Sequence, residues 1–470
     1  MNVITTVALA LTLAQTPAQA QDQATTQQPP SAVQPVPPEP SAGPVVSLDQ
    51  ALEAAGQRNL DLRALGAQLD QAAEITWKAL SLYLPQVTAS ARYARQDEVR
   101  SDVVFGLPGT ETTKLPNGAQ LYSQFAQLPI EEQKNGLFGV QVNATQMLIS
   151  PQIYFAIGGA KSTQRAAILS LENGRRQVLF GVARAYYATA ALKQGVEVTQ
   201  RLLEIARRQE HDAQVRYQAG AIAKVGLIRA EIDRARAEQD LKRQRNSYLS
   251  AKASLASLLD RDTAFEVESP PEPALPALEA EPLAKQAVES RPDVQAARIT
   301  ADAERQNKTS AWSRYLPNLQ AFATYQRANQ RGLNQKYDSW VYGLQAQWTI
   351  LDGLRRESDI REASARVAEA QARAEGAAAR ARTEVEQALL DLDSARANAL
   401  KAKEQRDLAT ENLRLVDVAY RAGTATAVEQ ADATAQLRTA EIGFTNETLN
   451  AQLAALNVLN VTGAFNPRKP

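Results

Sequence analysis

The chain of 470 residues carries 52 basic and 52 acidic side chains, one histidine and no cysteine. Balanced charge provides no global field that would attract nucleic acid, so no nucleic-acid partner is expected. The lack of cysteine excludes disulfides, thiolate metal sites and cysteine nucleophiles, and the single His211, set among charged neighbours, is expected to be an exposed helix residue. No catalytic residue, metal site or cofactor is therefore predicted.

The N-terminus has the pattern of a secretory signal, with a short apolar stretch from Val3 to Leu13 and small residues at Ala18 and Ala20, although no Lys or Arg precedes it. We expect residues 1–20 to be a signal peptide. The following segment is rich in Gln and Pro and cannot bury a core, so residues 21–46 are interpreted as a disordered leader. No later run reaches the roughly 18 apolar residues of a membrane-spanning helix, so any crossing of a membrane would be made by strands.

One phrase occurs twice in the chain. YLPQVTASARYAR at 83–95 returns as YLPNLQAFATYQR at 315–327, and the likeness extends upstream without gaps. Downstream, GVQVNATQMLISP at 139–151 parallels GLQAQWTILDGLR at 343–355. The chain is therefore interpreted as two copies of one plan. The predicted parts are a first repeat at 47–260, an equatorial linker at 261–282, a second repeat at 283–463 and a tail at 464–470.

Four segments alternate apolar and polar residues as strands do. Their apolar positions are Val87, Ala89, Ala91 and Tyr93; Phe138, Val140, Val142 and Ala144; Leu319, Ala321, Ala323 and Tyr325; and Trp340, Tyr342, Leu344, Ala346, Trp348 and Ile350. Each segment has the length that crosses a bilayer when tilted, with aromatic residues near its ends. A half-buried soluble sheet is the alternative, but few other strands are available to cover the apolar face. Loops are expected at about 97–136 and 328–338.

Very long helices follow the second and fourth strands. Ser150-Pro151 predicts a capped start for the first, and Asp352-Gly353 predicts an Asp cap for the second. No proline interrupts either helix for about 66–70 residues, which corresponds to roughly 100 Å. Apolar and small residues recur at spacings of three and four, a seam that suits a wall of closely packed helices. The second seam comprises Ala388, Leu392, Ala395, Ala399, Ala402, Ala409, Leu413, Val416 and Tyr420.

Glycines predict where the long helices end. Gly220 in YQAG and Gly423 in YRAG are placed to adopt the left-handed conformation that closes a helix. Return helices are expected at about 225–260 and 427–461. Both hairpins are then expected at one end of the folded molecule and both glycine turns at the opposite end.

This doubled order of motifs resembles the outer-membrane efflux protein family, the TolC-like exit ducts of Gram-negative bacteria. The resemblance runs from about Ser47 to Gly463 and rests on the order of the motifs rather than on any one of them. It implies a mainly α fold with a small membrane β part. The protomer would have two repeats, and its four strands would contribute to the twelve-stranded β-barrel of a homotrimer. A long periplasmic α-helical barrel would continue that barrel.

The resemblance also implies a location and a function. The chain would be an outer-membrane exit duct with a periplasmic extension, in contact with outer-membrane lipid. It would conduct substrates passively in a tripartite efflux or type I secretion system, and would not be an enzyme. Its partners would be a periplasmic adaptor protein and an inner-membrane pump of the RND, ABC or MFS type. Drug, metal and protein cargo all remain open.

Three residues are assigned to a constriction at the pore tip. Glu429 and Asp432 lie three positions apart and so share a helix face. The resemblance places them where family members carry acidic rings, and threefold repetition would favour cations there. An ordinary solvated helix face is the alternative. Tyr420 matches a family tyrosine that helps to hold the tip closed, but Ala425 and Gly226 stand where its usual partners would be.

The two tip turns are expected to contact the adaptor through Tyr217, Gly220 and Gly423. A structural role for these glycines as helix ends is equally consistent with the residues. The rival interpretation of the whole chain is a soluble or periplasmic coiled-coil scaffold. That interpretation accounts for the seams but leaves the four alternating strands and the signal-like start unexplained.

Overall fold

The computed structural model describes residues 43–95, 136–329 and 337–465, with short backbone segments between 105 and 126. These residues form a mainly α fold with a small β part. Its helices are α1 (Leu48–Arg58), α2 (Leu60–Leu80), α3 (Pro151–Gln218), α4 (Lys224–Leu258), α5 (Ala280–Ser290), α6 (Pro292–Trp312), α7 (Arg355–Arg421) and α8 (Ala427–Val461). Its strands are β1 (Val45–Val46), β2 (Gln86–Arg95), β3 (Phe105–Gly106), β4 (Thr112–Lys114), β5 (Gln120–Tyr122), β6 (Phe125–Ala126), β7 (Gly136–Ile149), β8 (Glu266–Val267), β9 (Asn318–Ala328) and β10 (Asp338–Gln347).

The repeated sequence produces repeated elements. The helices α1 and α2 have their counterparts in α5 and α6, and the hairpin of β2 and β7 has its counterpart in β9 and β10. The long helices α3 and α7 contain 68 and 67 residues, and each is followed by a return helix of 35 residues. At 1.5 Å per residue, each long helix is about 100 Å long. None of the described helices is both long and apolar enough to span a bilayer.

The four long strands form one antiparallel sheet in the order β10-β9-β7-β2. Its register confirms the predicted faces, because Ala89 pairs with Val142, Val142 with Tyr325, and Tyr325 with Trp340. This row of apolar residues therefore crosses the whole sheet on one face. A β-bulge between Met147 and Ile149 interrupts the register of β7 and β9. Within this sheet β2 and β10 are the edge strands, each paired on one side only.

The strands differ from the prediction at their ends. The second strand extends to 136–149, and the fourth ends at Gln347, so Trp348 and Ile350 lie beyond it. The segment expected to be a plain loop at 97–136 contains the short pairs β3–β6 and β4–β5. The remaining residues of that loop, and most of the second loop, lie outside the described residues.

The two long helices start differently. Ser150 caps α3 as predicted, because its hydroxyl accepts a hydrogen bond from the backbone N–H of Ile153 at 3.4 Å. The predicted Asp cap of α7 is wrong. The N-cap position is Leu354, which adopts a left-handed φ of +67° and makes no side-chain cap. The Asp352 carboxylate instead pairs with the buried Arg356 guanidinium at 2.9 Å, an i,i+4 pair across the helix start.

The Tyr-Leu-Pro phrases join each incoming helix to the outgoing one. In the first repeat the Tyr83 hydroxyl donates to the Ser150 carbonyl at 2.7 Å, and Ser150 is the N-cap of α3. In the second repeat the Tyr315 hydroxyl donates to the Glu357 carboxylate at 2.7 Å, in the first turn of α7. The repeated phrase therefore stops one helix and fastens the start of the next.

The largest hydrophobic core lies where β1 and β8 meet α1, α3 and α4. The strands β1 and β8 pair in parallel, and Val46 and Val267 are 4% and 0% exposed. The disordered leader predicted at 21–46 is therefore wrong at its last two residues, because Val45 and Val46 form a strand. A strand of two residues is too short to show alternation in the sequence. Its pairing partner also lies more than 200 residues away, so no hairpin pattern indicates it.

The segment 261–282 is fastened to the helices rather than simply linking the repeats. The Tyr186 hydroxyl donates to the Val46 carbonyl at 2.7 Å and lies 3.0 Å from the Glu268 carbonyl. The Tyr187 hydroxyl donates to the Pro271 carbonyl at 2.9 Å. Burial raises the pKa of Tyr187 to about 12, so its hydroxyl stays protonated and remains a donor.

Glu266 is the centre of a polar cluster in the same region. Its carboxylate accepts hydrogen bonds from Lys252 at 2.8 Å and from Tyr248 at 2.7 Å, and lies 3.4 Å from Lys193. Burial alone would raise the pKa of the Glu266 carboxyl. The hydrogen bonds from Lys252 and Tyr248 and the charges of Lys252 and Lys193 outweigh burial and hold that pKa below its ordinary value.

The predicted seam of α7 is confirmed along its length, since Ala388, Leu392, Ala402, Leu413 and Tyr420 are buried and its other four residues are half-buried. A second apolar set lies on the opposite face of this helix and is exposed. It comprises Leu390, Leu400, Leu408, Leu415 and Val418. The return helix α4 has a comparable exposed set in Val225, Ile228 and Ile232, away from its buried Leu241, Tyr248 and Leu255. His211 is exposed on α3.

Candidate functional site at the helical tip

Both tip turns close with a glycine in the left-handed region. Gly220 has a φ of +72° and Gly423 a φ of +80°. After α3 the Ala221 N–H donates to the Arg216 carbonyl at 2.8 Å, and after α7 the Thr424 N–H donates to the Ala419 carbonyl at 2.9 Å. These bonds satisfy carbonyls that a helix end leaves without intrahelical partners. No heavy atom lies within 4 Å of a Cβ added at either glycine, so backbone conformation is the constraint there.

The return helices start differently in the two repeats. In the second repeat Thr426 and Glu429 form a capping box. The Thr426 N–H donates to the Glu429 carboxylate at 2.7 Å, and the Glu429 N–H donates to the Thr426 hydroxyl at 3.3 Å. In the first repeat Ala223 and Gly226 stand at these positions, and α4 has no side-chain cap. The tip is therefore asymmetric although the chain is doubled.

Glu429 and Asp432, the predicted constriction pair, are both exposed on the first turns of α8. The hydrogen bonds that the backbone N–H and hydroxyl of Thr426 donate hold the pKa of the Glu429 carboxyl below its ordinary value. The Asp432 carboxylate accepts a hydrogen bond from Gln436 at 2.7 Å. The two carboxylates are presented on one side of the helix, but Glu429 also has the structural role of a cap.

Tyr217 and Tyr420, which occupy equivalent positions in the two turns, have different surroundings. Tyr217 is 40% exposed, whereas Tyr420 is 6% exposed. The Arg216 guanidinium carbon lies 4.4 Å from the centre of the Tyr420 ring. The same guanidinium donates to the Tyr420 carbonyl at 3.0 Å and to the Arg421 carbonyl at 3.3 Å. Tyr420 is thus packed against the first repeat, and Tyr217 is free of comparable packing.

Further polar contacts connect α3 with α7 and α8 near the tip. Gln209 donates to the Thr434 hydroxyl at 2.9 Å. Arg421 pairs with Asp417 at 3.1 Å and lies 3.9 Å from Asp212. A groove of about 230 Å³ opens between these helices, lined by Ile205, Arg208, Gln209, Asp212, Thr410, Leu413, Arg414, Asp417, Arg421 and Leu437. The site is a set of helix ends with mixed charge, and the described residues include no group of three or more His, Asp or Glu side chains arranged to hold a metal ion.

Arg216 is the residue of this site that sequence reasoning missed. It is one of many arginines on the long helices, and nothing in its local pattern separates it from them. The available signal was a difference between the repeats: Arg216 precedes Tyr217, whereas Ala419 precedes the equivalent Tyr420. A difference between otherwise matched repeats marks a place where the two halves have different tasks.

This architecture is that of the TolC-like outer-membrane channels. The VceC outer membrane protein of Vibrio cholerae has a TM-score of 0.69 and 20% identity, over 88% of this chain and 96% of that one. The channel CusC has a TM-score of 0.72 and 14% identity, over 88% and 91%. The CmeC outer membrane channel of Campylobacter jejuni has a TM-score of 0.68 and 16% identity, over 90% and 87%.

The model of the outer membrane efflux protein family matches residues 51–261 and 283–464. The chain belongs to this family. No curated protein sequence matches it significantly. These solved structures share its fold at low identity, and two of them are an outer membrane protein, VceC, and an outer membrane channel, CmeC. The family match leaves unmatched the residues 262–282, where the equatorial segment lies.

Proposed function

We propose that this protein is the protomer of a trimeric outer-membrane exit duct. It would conduct substrates passively from a periplasmic adaptor and an inner-membrane pump to the outside, without catalysing a reaction. The observation that carries the proposal is the polarity of the doubled chain. The membrane-type sheet lies at one end of the long helices, and both glycine turns lie at the other.

The unpartnered edges of the protomer support the assembly of several copies. The sheet has free edges at β2 and β10, which are different strands, so copies would join head to tail and close a ring. The exposed apolar sets on α4 and α7 also lie on different helices. A helix that is apolar on two opposite faces needs a neighbour on each. The same head-to-tail contact would therefore pair β2 with β10 of the next copy and cover the exposed apolar sets on α4 and α7.

The native mass of the protein extracted by detergent from isolated outer membranes tests this assembly. Three chains per particle, found in that fraction alone, would support the duct. A monomer or dimer that stays in solution without detergent would favour the coiled-coil scaffold and contradict the duct. The mass must be corrected for bound detergent, because a helix-rich particle with a detergent belt elutes anomalously.

Glu429 and Asp432 are proposed as the acidic constriction of the duct. Both are exposed, and they lie three positions apart on the first turns of α8, beside its buried Ala433. Six carboxylates in a threefold ring would favour cations over anions. The double variant Glu429→Gln, Asp432→Asn should reduce the ratio of cation to anion permeability in planar bilayers. An unchanged ratio would place the constriction elsewhere.

The tip turns around Tyr217, Gly220 and Gly423 are proposed as the adaptor contact. The exposed Tyr217 gives the first-repeat turn an aromatic side chain that an adaptor can cover. Photocross-linking from Tyr217 and from the exposed Leu249 on the same hairpin tests this contact. Capture of the adaptor from position 217 but not from position 249 is expected, and the reverse would move the contact away from the tip. Drug, metal and protein cargo are not distinguished by these residues.

A further inference from the structure

The antiparallel sheet has a second face, opposite the row of apolar residues that crosses it. Because side chains alternate along a strand, this face is formed by the positions between the apolar ones. The register sets them in rows across the sheet, such as Ser90, Gln141, Gln326 and Ser339. Among the described residues, every row of this face but one is uncharged, and most of its side chains are amides or hydroxyls.

The exception is the row of Arg92. Arg92 in β2 pairs with Gly139 in β7, and Gly139 pairs with Ala328 in β9. Its neighbours across the sheet are thus two of the smallest residues, and the nearest atom that a Cβ added at Gly139 would meet is a backbone oxygen at 3.8 Å. Arg92 is exposed and makes no hydrogen bond or ion pair with another described residue. Its guanidinium is therefore an unpaired charge on an open, uncharged surface.

The other two arginines of these four strands lie on the apolar face. Arg95 is three positions from Arg92 in the same strand, so its side chain points to the opposite side of the sheet. Arg327 lies two positions from Tyr325 of the apolar row, and it faces Asp338, a residue of opposite charge, in β10. Within the described part of the sheet, Arg92 is therefore the source of charge on the uncharged face.

In the proposed duct the apolar face of each sheet meets lipid, so the uncharged face lines the lumen. Three copies in a ring would bring their Arg92 side chains to one level, since each occupies the same position in its strand. This level is near the strand ends that point away from the helices, because α2 leads into the start of β2 and Arg92 lies close to its end. A ring of guanidiniums in an otherwise uncharged passage attracts anions and repels cations.

We propose that Arg92 forms a charge-selecting ring in the strand part of the duct, which favours solutes that carry a carboxylate, phosphate or sulfonate group. The proposal rests on the proposed duct function and adds the class of solute that this end of the duct prefers. Its sign is opposite to that of the acidic residues proposed for the helical tip. Arginine suits this role because its guanidinium stays charged at physiological pH and binds an oxyanion through two N–H groups.

Reversal potentials measured across a KCl gradient in planar bilayers test the ring. The purified trimers should all carry Glu429→Gln and Asp432→Asn, because carboxylates at the tip lie in series with Arg92 and would mask its effect. In that background we expect Arg92→Gln to raise the ratio of K⁺ to Cl⁻ permeability about fivefold at about 0.1 M salt. This estimate corresponds to three unit charges about 10 Å from the pore axis, screened over a Debye length of about 10 Å. Arg92→Lys should leave the ratio unchanged because it keeps the charge.

Arg95→Gln is the matched control, because it removes an exposed arginine from the same strand but from the apolar face. It should leave the permeability ratio unchanged. A rise equal to that of Arg92→Gln would overturn the ring, since the net charge of the trimer would then be the cause. An unchanged ratio in Arg92→Gln would also overturn the ring and would leave the duct intact. Failure to find trimers in the outer membrane would overturn the duct itself, and the ring with it.

A chemical form of the experiment excludes misfolding, because each channel serves as its own control. The native chain has no cysteine, so Arg92→Cys provides one reactive thiol in each protomer. A thiol reagent that carries a quaternary ammonium should lower the ratio of K⁺ to Cl⁻ permeability during the recording, and one that carries a sulfonate should raise it. Both changes should shrink at about 1 M salt, where the Debye length is about 3 Å. Reagents that attach, as verified by mass, without moving the ratio would contradict the proposal.

Discussion

At the scale of single residues, the capping box of α8 separates the two tip turns most clearly. Thr426→Ala removes the side-chain cap, which costs a helix start about 1 kcal/mol. We expect hydrogen exchange of the amides in the first turn of α8 to accelerate about fivefold, the rate ratio that corresponds to this free energy. The control is Ala223→Ser in the first repeat, which supplies a missing cap and should slow exchange in α4. Equal exchange in the wild type and Thr426→Ala would show that Thr426 does not stabilise the turn.

Glu266 gives a second prediction at this scale, through its depressed pKa. A carboxyl whose pKa is lowered in the folded state stabilises the fold at pH values above its ordinary pKa. That contribution is lost as the pH falls through the lower, folded pKa. The wild type should therefore lose stability on acidification below about pH 4.3 more steeply than Glu266→Gln does.

Glu266→Gln should also lower stability at neutral pH, because Lys252 is 6% exposed and would lose its charged partner. We expect a loss of about 2 kcal/mol, less than for a fully buried pair because the Glu266 side chain is 25% exposed. Thermal unfolding of the detergent-solubilised protein at neutral and acid pH measures both effects. The exposed Glu279 provides the control, and a Glu279→Gln variant that matched Glu266→Gln would contradict a specific role for the cluster.

Single residues also show where sequence reasoning stopped. The glycines and the Ser150 cap were predictable because each acts through its own backbone or its nearest neighbours. The cap of α7 was predicted wrongly because Asp352 had two possible partners, and the buried Arg356 competes with the helix start. Arg216 was missed because its partners lie in the other repeat, about 200 positions along the chain.

At the scale of elements, a glycine in a tip turn can be compared with a glycine inside a helix. Gly423→Ala places a side chain at a φ of +80° and should destabilise the turn by about 1 kcal/mol. Gly443→Ala lies within α8, where an added Cβ also has nothing within 4 Å, and should be neutral or stabilising by up to about 1 kcal/mol. Thermal unfolding midpoints of the two variants measure the difference. Equal midpoints would show that the left-handed turn is not a constraint.

Helices and strands could be predicted where the pattern that indicates them lies within their own sequence. Strand faces and helix lengths follow from alternation and from runs without proline, and both were confirmed by the register of the sheet and by the length of α3. The pairing of β1 with β8 follows from no local period, because two-residue strands are stabilised by the core around Tyr186 and Phe265 rather than by their own sequence.

At the scale of the whole molecule, the exposed stripe of α7 predicts how copies of the chain meet. Leu408 is 65% exposed in the single chain and would be buried against a neighbour. Leu408→Glu should leave the protomer folded and prevent the proposed trimer from forming, since an unpaired charge would be buried in the contact. Native mass in detergent measures the loss. Lys403→Glu, on the same helix and exposed but outside the stripe, should retain the trimer.

The head-to-tail edges of this sheet have a genetic consequence. In the proposed ring, a chain with a defective β10 edge but an intact β2 edge could still join from one side and would then stop the ring from closing. Such a variant, expressed beside the normal protein, should be dominant. If each chain is drawn at random from an equal mixture, only about one in eight rings of three would be free of it.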